Sequence, residues 1–397
     1  RAIVSNFCKN ALSAGRALAP HIFFCYTFRM DKREKCVIVG GGAAGLMCAA
    51  RLIRNGIVPL ILEAGARVGR KILVSGNGRC NLSNSGVNEG RYNAPEFVAP
   101  VLEKYPYSSV INWWKELGLV TRTDEQGRTY PYSNYAGSVL NVLLDSVSKA
   151  EILTSCPVKS VKKEGEVFKV EHEKGTVYAE NLVLACGSGA GGGIPSYNLL
   201  KGLGHKVTRL TPAITYLKTD KFKGLKGVRA KVYARLETPF GSRGDRGEIL
   251  FRDDGVSGIL AFWLSSFLAR NNCTGVLEID FAPDLTAEEI KREYGGRERL
   301  LCGLLHKALA DKLLREGGLE RVKNYRVKVA LADKDNQAVC GGAELGALDN
   351  NLQSGLHGNL YCIGEMADID GECGGYNLHW AWVSALAAAD NITGAEK

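Results

Sequence analysis

A glycine-rich run near residue 40 has the residue types and spacing that bind a dinucleotide. The predicted phosphate-binding residues are Gly40, Gly42, Ala43, Ala44 and Gly45. Glycines at this GxGxxG spacing expose backbone N–H groups at the start of a helix, where the helix dipole favours a pyrophosphate. Glu63 follows 18 residues after Gly45, where a carboxylate can accept hydrogen bonds from ribose hydroxyls.

The segments around these residues supply the elements that such a motif requires. The apolar run Cys36–Val39 precedes the glycines, an apolar helix follows them, and a second apolar run, Val58–Leu62, ends at Glu63. Strand, helix, strand and acid in this order predict a βαβ dinucleotide-binding unit. In that unit Gly40 permits the tight turn, and Gly45 lets the helix pack closely on the strand.

A second glycine-rich turn lies near the other end of the chain. Residues 364–378 join a predicted strand, Leu360–Ile363, to a nearly all-apolar helix, Leu378–Ile392. Backbone without side chains can approach a ligand closely, and a helix that opens near Asn377 presents N–H donors. Such donors would stabilise the N1–C2=O edge of a reduced flavin, which becomes negative.

Composition restricts the class of protein. Hydrophobic residues make up 45% and charged residues 23% of the 397 residues, which is ordinary for a globular chain. Residues 1–29 contribute +4 to the net charge of +9, and the modest remainder does not predict nucleic-acid binding. The twelve cysteines are scattered without a CxxC pair, so neither disulfides nor a metal site is predicted, and we expect a cytoplasmic location. We find no transmembrane segment and predict no membrane partner.

The order of elements predicts a discontinuous domain. Residues 1–29 are expected to lie outside the fold, as an extension before Met30; a targeting peptide with Ala17–Phe28 as its apolar part is the alternative. Residues 30–190 and 336–397 form the two parts of the nucleotide-binding domain, and residues 191–335 form a β-rich and helical insert that shapes the substrate site. Predicted strands of the insert include Lys206–Thr219, and a helical stretch covers residues 286–316.

With these segments in place, the chain resembles the BaiN-like (YhiN-like) family of NAD(P)/FAD-dependent oxidoreductases, also described as aminoacetone-oxidase-family FAD-binding enzymes. The matching segments are VIVGGGAAGL at 37–46, GRKILVSGNGRCNLSN at 69–84, LVLACGSGA at 182–190, GEILFRDDGVSG at 247–258 and LYCIGEMADIDGECGGYNLHWAW at 360–382. They keep their expected order and span nearly everything after residue 30.

The resemblance implies an α/β fold, a Rossmann-like FAD-binding domain of the two-dinucleotide-binding-domain type, with an inserted β-barrel and a small helical domain. It implies that Glu63 and the glycines of the first motif hold the ADP half of FAD, and that the backbone of Val158 touches the adenine. The residues implied on the flavin side are Arg70, Lys71, Gly76, Gly78, Arg79, Cys80, Asn81, Gly187, Gly364, Glu365, Asp370, Gly371, Gly374, Gly375, Tyr376, Asn377 and Leu378. No complete second Rossmann unit follows Gly187, so NAD(P)H is expected to bind only transiently.

Catalytic roles remain open at this level. Tyr376 is a proton donor or a packing aromatic, and Arg79 and Lys71 either serve the flavin or an acidic substrate or are solvated loop cations. A thiol relay between Cys80 and Cys373 is a weaker alternative. The expected activity is NAD(P)H-linked reduction of an activated C=C bond in an apolar small molecule. An amine-type oxidase that uses oxygen, and a non-catalytic flavin sensor or partner protein, are the alternatives.

Overall fold

The computed structural model describes residues 33–190, 196–333 and 335–395, so the predicted extension 1–29 lies outside the described residues. The strands are β1 Arg33–Val39, β2 Leu60–Leu62, β3 Ser83–Asn84, β4 Thr121–Thr123, β5 Arg128–Pro131, β6 Glu151–Leu153, β7 Val158–Glu164, β8 Val167–His172, β9 Gly175–Leu184, β10 Thr211–Ala213, β11 Leu217–Lys218, β12 Arg229–Thr238, β13 Gly241–Arg252, β14 Gly255–Ser257, β15 Gly275–Asp280, β16 Tyr325–Leu331, β17 Ala338–Cys340 and β18 Leu360–Cys362. The helices are α1 Ala43–Arg54, α2 Arg70–Val74, α3 Pro95–Lys104, α4 Tyr107–Glu116, α5 Ala136–Ser146, α6 Tyr197–Gly202, α7 Ile259–Asn271, α8 Ala287–Tyr294, α9 Lys307–Glu316, α10 Glu320–Lys323 and α11 Tyr376–Thr393.

A seven-stranded sheet carries the nucleotide-binding motif. Strand β1 lies between β2 and β9 and is parallel to both, while β6 extends the sheet beyond β2. Strands β7, β8 and the first half of β9 are antiparallel, and β18 pairs in parallel with the second half of β9. The two ends of the chain therefore meet in one sheet, and its apolar strands are buried between helices, as parallel strands require. This arrangement confirms the predicted Rossmann-type fold.

A closed antiparallel barrel forms a second hydrophobic core. Its strands follow the order β11, β14, β13, β12, β15, β16. Rings fill the interior: Phe222 and Phe251 have their centroids 4.8 Å apart, and Phe281 and Tyr325 lie 5.9 Å apart. Side chains thus fill the inside of this small barrel. The inserted β-barrel is confirmed, whereas the exact domain boundaries stay predictions.

Several predicted elements differ from the structure. The prediction of a single strand over Lys206–Thr219 is wrong, because the segment contains two short strands, β10 and β11. They are separated at Ile214, which has a φ of 50° that strand residues do not adopt. The second strand of the βαβ unit is shorter than predicted and excludes Val58. Helices α5 and α7 were not predicted. None of the described helices has the length and apolar character needed to cross a bilayer.

Candidate functional site

The start of α1 has the geometry that the glycine motif predicts. Gly40 has a φ of 109°, and a Cβ there would overlap the carbonyl of Ala185, the residue that follows β9. A Cβ on Gly45 would overlap the carbonyl oxygen of Gly40, so only glycine lets the helix lie this close to β1. At Gly42, by contrast, a Cβ would meet nothing within 4 Å, and no side chain caps the helix. The helix start is therefore uncapped and has open space beside it, which fits a pyrophosphate.

Glu63 lies directly beside this helix start. One carboxylate oxygen accepts a hydrogen bond from the N–H of Gly41 at 2.8 Å, and the other accepts one from the N–H of Gly65 at 2.6 Å. These bonds fix the carboxylate while each oxygen keeps a further lone pair for a ligand hydroxyl. The carbonyl of Glu63 accepts from the N–H of Cys156, so β7, which begins at Val158, starts close to this acid. The structure thus brings the residues predicted for the ADP half together.

A half-buried ion pair joins three of the sequence segments that are predicted to line the flavin. The Lys71 ammonium lies 2.7 Å from a carboxylate oxygen of Glu365 and also donates to Ser188. The Ser188 hydroxyl and N–H donate to the same Glu365 oxygen at 2.9 and 3.2 Å. Burial alone would raise the pKa of the Glu365 carboxyl, but Lys71 and Ser188 outweigh it and hold that pKa below its usual value. Lys71 is therefore no solvated loop cation: it compensates an acid.

The 69–84 segment and the 364–378 loop meet beside the start of α11. The side-chain amide of Asn84 donates to the carbonyl of Gly374 at 3.0 Å, and Asn377 bonds both the N–H and the carbonyl of Gly371. Gly375 has a φ of 106°, and a Cβ there would lie 2.9 Å from the Asn81 Oδ1. That oxygen is buried and has no hydrogen-bond partner among the described residues. An unused acceptor in a crowded cradle fits a ligand that brings its own donors, as a flavin and its ribityl chain do.

His379 lies in the first turn of α11, and sequence analysis gave it no role. Its Nδ1 lies 2.8 Å from the Ser83 hydroxyl, while its Nε2 is buried without a partner in the described part of the chain. Burial lowers the pKa of His379 to about 3, so the ring is neutral near pH 7. The α11 start therefore carries no histidine cation.

The remaining residues predicted on the flavin side lie in the same loops but differ in exposure. Arg70 and Arg79 are exposed, and the Arg79 guanidinium lies 5.0 Å from the ring centroid of Tyr130. Arg79 thus has the position of a solvated cation stacked on an aromatic face. Burial raises the pKa of the Cys80 thiol to about 12 and that of the Cys373 thiol to about 11. Both thiols therefore stay protonated, which disfavours a thiol relay.

Tyr376 begins α11 and lies in an aromatic and cationic environment. Its ring packs edge-on against Tyr92, with centroids 6.4 Å apart, and the Arg91 guanidinium lies 5.7 Å from its centroid. Arg91 in turn pairs with Glu372 at 2.8 Å. Burial raises the pKa of the Tyr376 phenol and Arg91 offsets part of that shift, so the hydroxyl is protonated near pH 7. No hydrogen bond to that hydroxyl occurs within the described residues.

Arg270 was missed by sequence analysis and connects α7 to the 364–378 loop. Its guanidinium pairs with both Asp368 and Asp370. Asp368 also accepts from the hydroxyl of Thr208 at 2.6 Å. The side chains of the two aspartates are 14% and 9% exposed, so the arginine neutralises two nearly buried carboxylates. No sequence pattern indicated Arg270. Only Asp370 was expected at the site, because it lies in the loop predicted to bind the flavin.

The structure offers no metal centre among the described residues, since no three His, Cys, Asp or Glu side chains converge there. Contacts join the predicted cofactor residues in three groups, at the start of α1, around the Lys71–Glu365 pair and at the start of α11. That these residues bind FAD stays a prediction.

Comparison with known proteins gives a consistent picture. The model of the family described as "HI0933-like protein Rossmann domain" matches residues 34–391. The chain is 30% identical to the 3-dehydro-bile acid delta(4,6)-reductase of Clostridium scindens, over 88% of this chain and 97% of that protein. It is 28% identical to the ribosomal RNA dihydrouridine synthase of Haemophilus influenzae, over 92% of this chain and all of that protein.

Among solved structures, the chain is similar in fold to the 3-ketosteroid-delta4-(5alpha)-dehydrogenase of Rhodococcus jostii in complex with 4-androstene-3,17-dione. The TM-score is 0.50 at 14% identity, and the match covers 92% of this chain and 98% of that one.

Proposed function

The chain belongs to the HI0933-like family of FAD-dependent oxidoreductases, and we propose that it reduces a carbon–carbon double bond conjugated to a carbonyl in an apolar small molecule. The observation that carries the proposal is the similarity, over nearly the full length of the chain, to relatives whose names describe the same reaction. That reaction is the saturation of a conjugated C=C bond. A 3-dehydro-bile acid delta(4,6)-reductase saturates C=C bonds conjugated with a 3-oxo group, and a dihydrouridine synthase saturates the C=C bond conjugated with a uracil carbonyl.

The residues of the candidate site would hold FAD along its length. FAD supplies the two-electron redox chemistry when it is bound. The uncapped start of α1 would bind the pyrophosphate, and Glu63 would orient the ribose, since its carboxylate is already fixed by Gly41 and Gly65. Asn81 would accept from a donor of the ligand. The Lys71–Glu365 pair would fix the loops at the flavin end without adding net charge.

Tyr376 is the side chain best suited to give the substrate a proton. Saturation of a conjugated C=C bond requires a proton at one of its two carbons, and a phenol with a raised pKa keeps its proton near pH 7. Arg91, over the ring, and Tyr92, whose hydroxyl donates to the Tyr376 carbonyl at 3.0 Å, would keep the phenol in place. NAD(P)H is proposed as the electron donor, which binds transiently near the flavin.

The test begins with the visible spectrum of the purified protein. We expect bound flavin to bleach when NADH or NADPH is added without oxygen and to regain its colour when an enone follows. Tyr376→Phe should retain flavin and its bleaching but reduce the enone at least about tenfold more slowly, within the range of general-acid effects. Tyr132→Phe is the matched control, because it removes a phenol that is 68% exposed and belongs to none of the predicted cofactor residues. If neither NADH nor NADPH bleaches the flavin, the proposed reductase activity is wrong. Release of peroxide with an amine would favour the oxidase.

Reduction of uridine in RNA is the second candidate. It is favoured by the 28% identity to a ribosomal RNA dihydrouridine synthase over that protein's full length. The modest net charge after residue 29 argues against it, because RNA binding usually requires a strongly basic surface. Mass spectrometry of ribosomal RNA nucleosides, with and without the protein, distinguishes the two: a gain of two hydrogens on uridine would support RNA as the substrate.

A further inference from the structure

Tyr376 needs a compensating charge if it gives its proton to a substrate. In that step the phenolic O–H bond breaks, a C–H bond forms on the substrate, and the electron pair stays on the oxygen as a phenolate. The proposed donor NAD(P)H supplies the hydride equivalent, and water returns a proton to the phenolate afterwards. Tyr376 is only 6% exposed, and burial raises the pKa of its phenol. Water therefore stabilises the phenolate poorly, and loss of the proton requires a cation nearby.

The Arg91 side chain places a cation beside this phenol. Its guanidinium lies 5.7 Å from the ring centroid of Tyr376. A cation attracts the ring of a neutral phenol through its quadrupole, and it attracts a phenolate more strongly because the phenolate carries a full negative charge. Arg91 thus favours loss of the proton and opposes the effect of burial on the pKa of Tyr376.

Backbone contacts hold Arg91 at this place. The N–H of Glu372 donates to the carbonyl of Arg91 at 3.0 Å, and Tyr92 forms an antiparallel bridge with Gly371. The Tyr92 hydroxyl also donates to the carbonyl of Tyr376. The segment that carries Arg91 is therefore bound to the 364–378 loop through main-chain groups, which a change of the Arg91 side chain leaves intact.

The Glu372 carboxylate has the opposite effect on the phenol. It lies 2.8 Å from the Arg91 guanidinium, its side chain is 18% exposed, and its charge disfavours a phenolate at Tyr376. The carboxylate of Asp245 on β13 also favours the Arg91 cation, less than Glu372 does. One cation and one anion with opposite effects on proton loss thus lie beside the same phenol.

We propose that Arg91 is a positioning residue for the reductase reaction, which stabilises the phenolate that Tyr376 becomes when it gives its proton to the substrate, and that Glu372 limits this effect. The inference rests on the proposed function, because it explains how a buried phenol of that site can act as an acid. It requires that removal of Arg91 and removal of Glu372 change the site in opposite directions.

The test uses the FAD-loaded protein, reduced without oxygen and then mixed with 4-androstene-3,17-dione or 2-cyclohexen-1-one. The rate at which the enone restores the flavin colour reports a single turnover. Arg91→Gln should slow this turnover by about threefold to tenfold, since a half-exposed charge is partly screened by water. Arg91→Lys should keep most of the rate, and Glu372→Gln should not slow it. In Tyr376→Phe, the further change Arg91→Gln should have no additional effect, because the two residues act through one proton.

Ionisation of Tyr376 gives a readout that does not depend on turnover. In nuclear magnetic resonance of the protein labelled at tyrosine Cζ, the Tyr376 signal is the one that Tyr376→Phe lacks. Its titration should move to higher pH in Arg91→Gln and to lower pH in Glu372→Gln. If the ion pair only supports the loop, both variants break the same contact, and both should move the titration in the same direction.

Arg252→Gln is the matched control. Arg252 lies 3.9 Å from the ring centroid of Tyr216 and 3.1 Å from the Asp254 carboxylate, so the barrel contains the same three groups. The variant removes an arginine over a tyrosine that has no part in the proposed reaction. It should change neither the turnover nor the titration of Tyr376.

Failure of the inference and failure of the proposed function give different results. If the unchanged protein reduces an enone, but Arg91→Gln and Glu372→Gln shift the Tyr376 titration alike or not at all, the inference is wrong and the function stands. If the unchanged protein reduces neither enone, the function is wrong, and the titration alone decides the inference. Opposite shifts in the two variants would then support the assignment of Arg91 and Glu372, and equal or absent shifts would overturn it.

Discussion

Replacement of Arg270 by alanine should destabilise the protein strongly, because it leaves two carboxylates nearly buried with no cation. The side chains of Asp368 and Asp370 are 14% and 9% exposed, and that of Arg270 is 24% exposed. Removal of one partner of a pair this buried costs about 3–5 kcal/mol. With about 2.1 cal/mol/K of unfolding entropy per residue over residues 31–397, that corresponds to a fall in melting temperature of about 4–6 °C.

The assay is calorimetric unfolding of the FAD-loaded protein at pH 7, with a control of the same chemistry at the surface. Arg326 also pairs with two carboxylates, those of Glu237 and Glu278, but its side chain is 44% exposed. Arg326→Ala should therefore change the melting temperature little, since water screens exposed pairs. Arg270→Met combined with Asp368→Asn and Asp370→Asn should restore most of the loss. If Arg270→Ala melts like Arg326→Ala, or if the triple variant gains nothing over Arg270→Ala, the attribution to buried charge is refuted.

Two further predictions concern the glycine motif and a buried histidine. Gly42→Ala should fold normally but bind FAD about tenfold or more weakly, since its Cβ meets no protein atom yet occupies the space beside the α1 start. Gly45→Ala should fail to fold, because its Cβ would overlap the carbonyl oxygen of Gly40. Melting curves and flavin titration check both variants, and equal behaviour of the two would contradict the reasoning. The folded-state pKa of His379, about 3, lies below the unfolded value near 6.5, so stability should be complete above pH 6.5 and fall by up to about 1.4 kcal/mol per pH unit as the pH drops from there. Urea unfolding at pH 7, 5 and 4 should show a smaller loss for His379→Gln, and an identical loss would count against this assignment.

Local geometric demands made the first motif predictable. A residue that must approach backbone without a Cβ, such as Gly45, is identified by its type and spacing alone, and so is an acid that ends a strand, such as Glu63. Residues of the 69–84 and 364–378 segments were both implied on the flavin side, and Asn84 bonds Gly374 in the structure. The fold could be predicted because these signals occur in one order along the chain.

Contacts between distant segments could not be predicted in the same way. Lys71 and Glu365 are 294 positions apart, and Arg270 and Asp368 are 98 apart, so no local pattern relates them. Helix α7 escaped prediction because both of its faces are apolar, which removes the alternation by which a surface helix is recognised. The break at Ile214 was also hidden, because a β-branched residue seldom adopts a positive φ.

The position of β18 and α11 sets the order in which the chain can fold during synthesis. Strand β18 completes the sheet beside β9, and α11 packs on α1 and pairs with it through Asp390 and Arg51, 339 positions apart. At about 5–20 residues per second, a ribosome needs roughly 20–70 s to travel from β1 to α11. The barrel strands all precede residue 332 and can close during that interval, whereas the apolar face of α1 waits for its partner. The nascent chain therefore exposes this apolar face until α11 has left the ribosome.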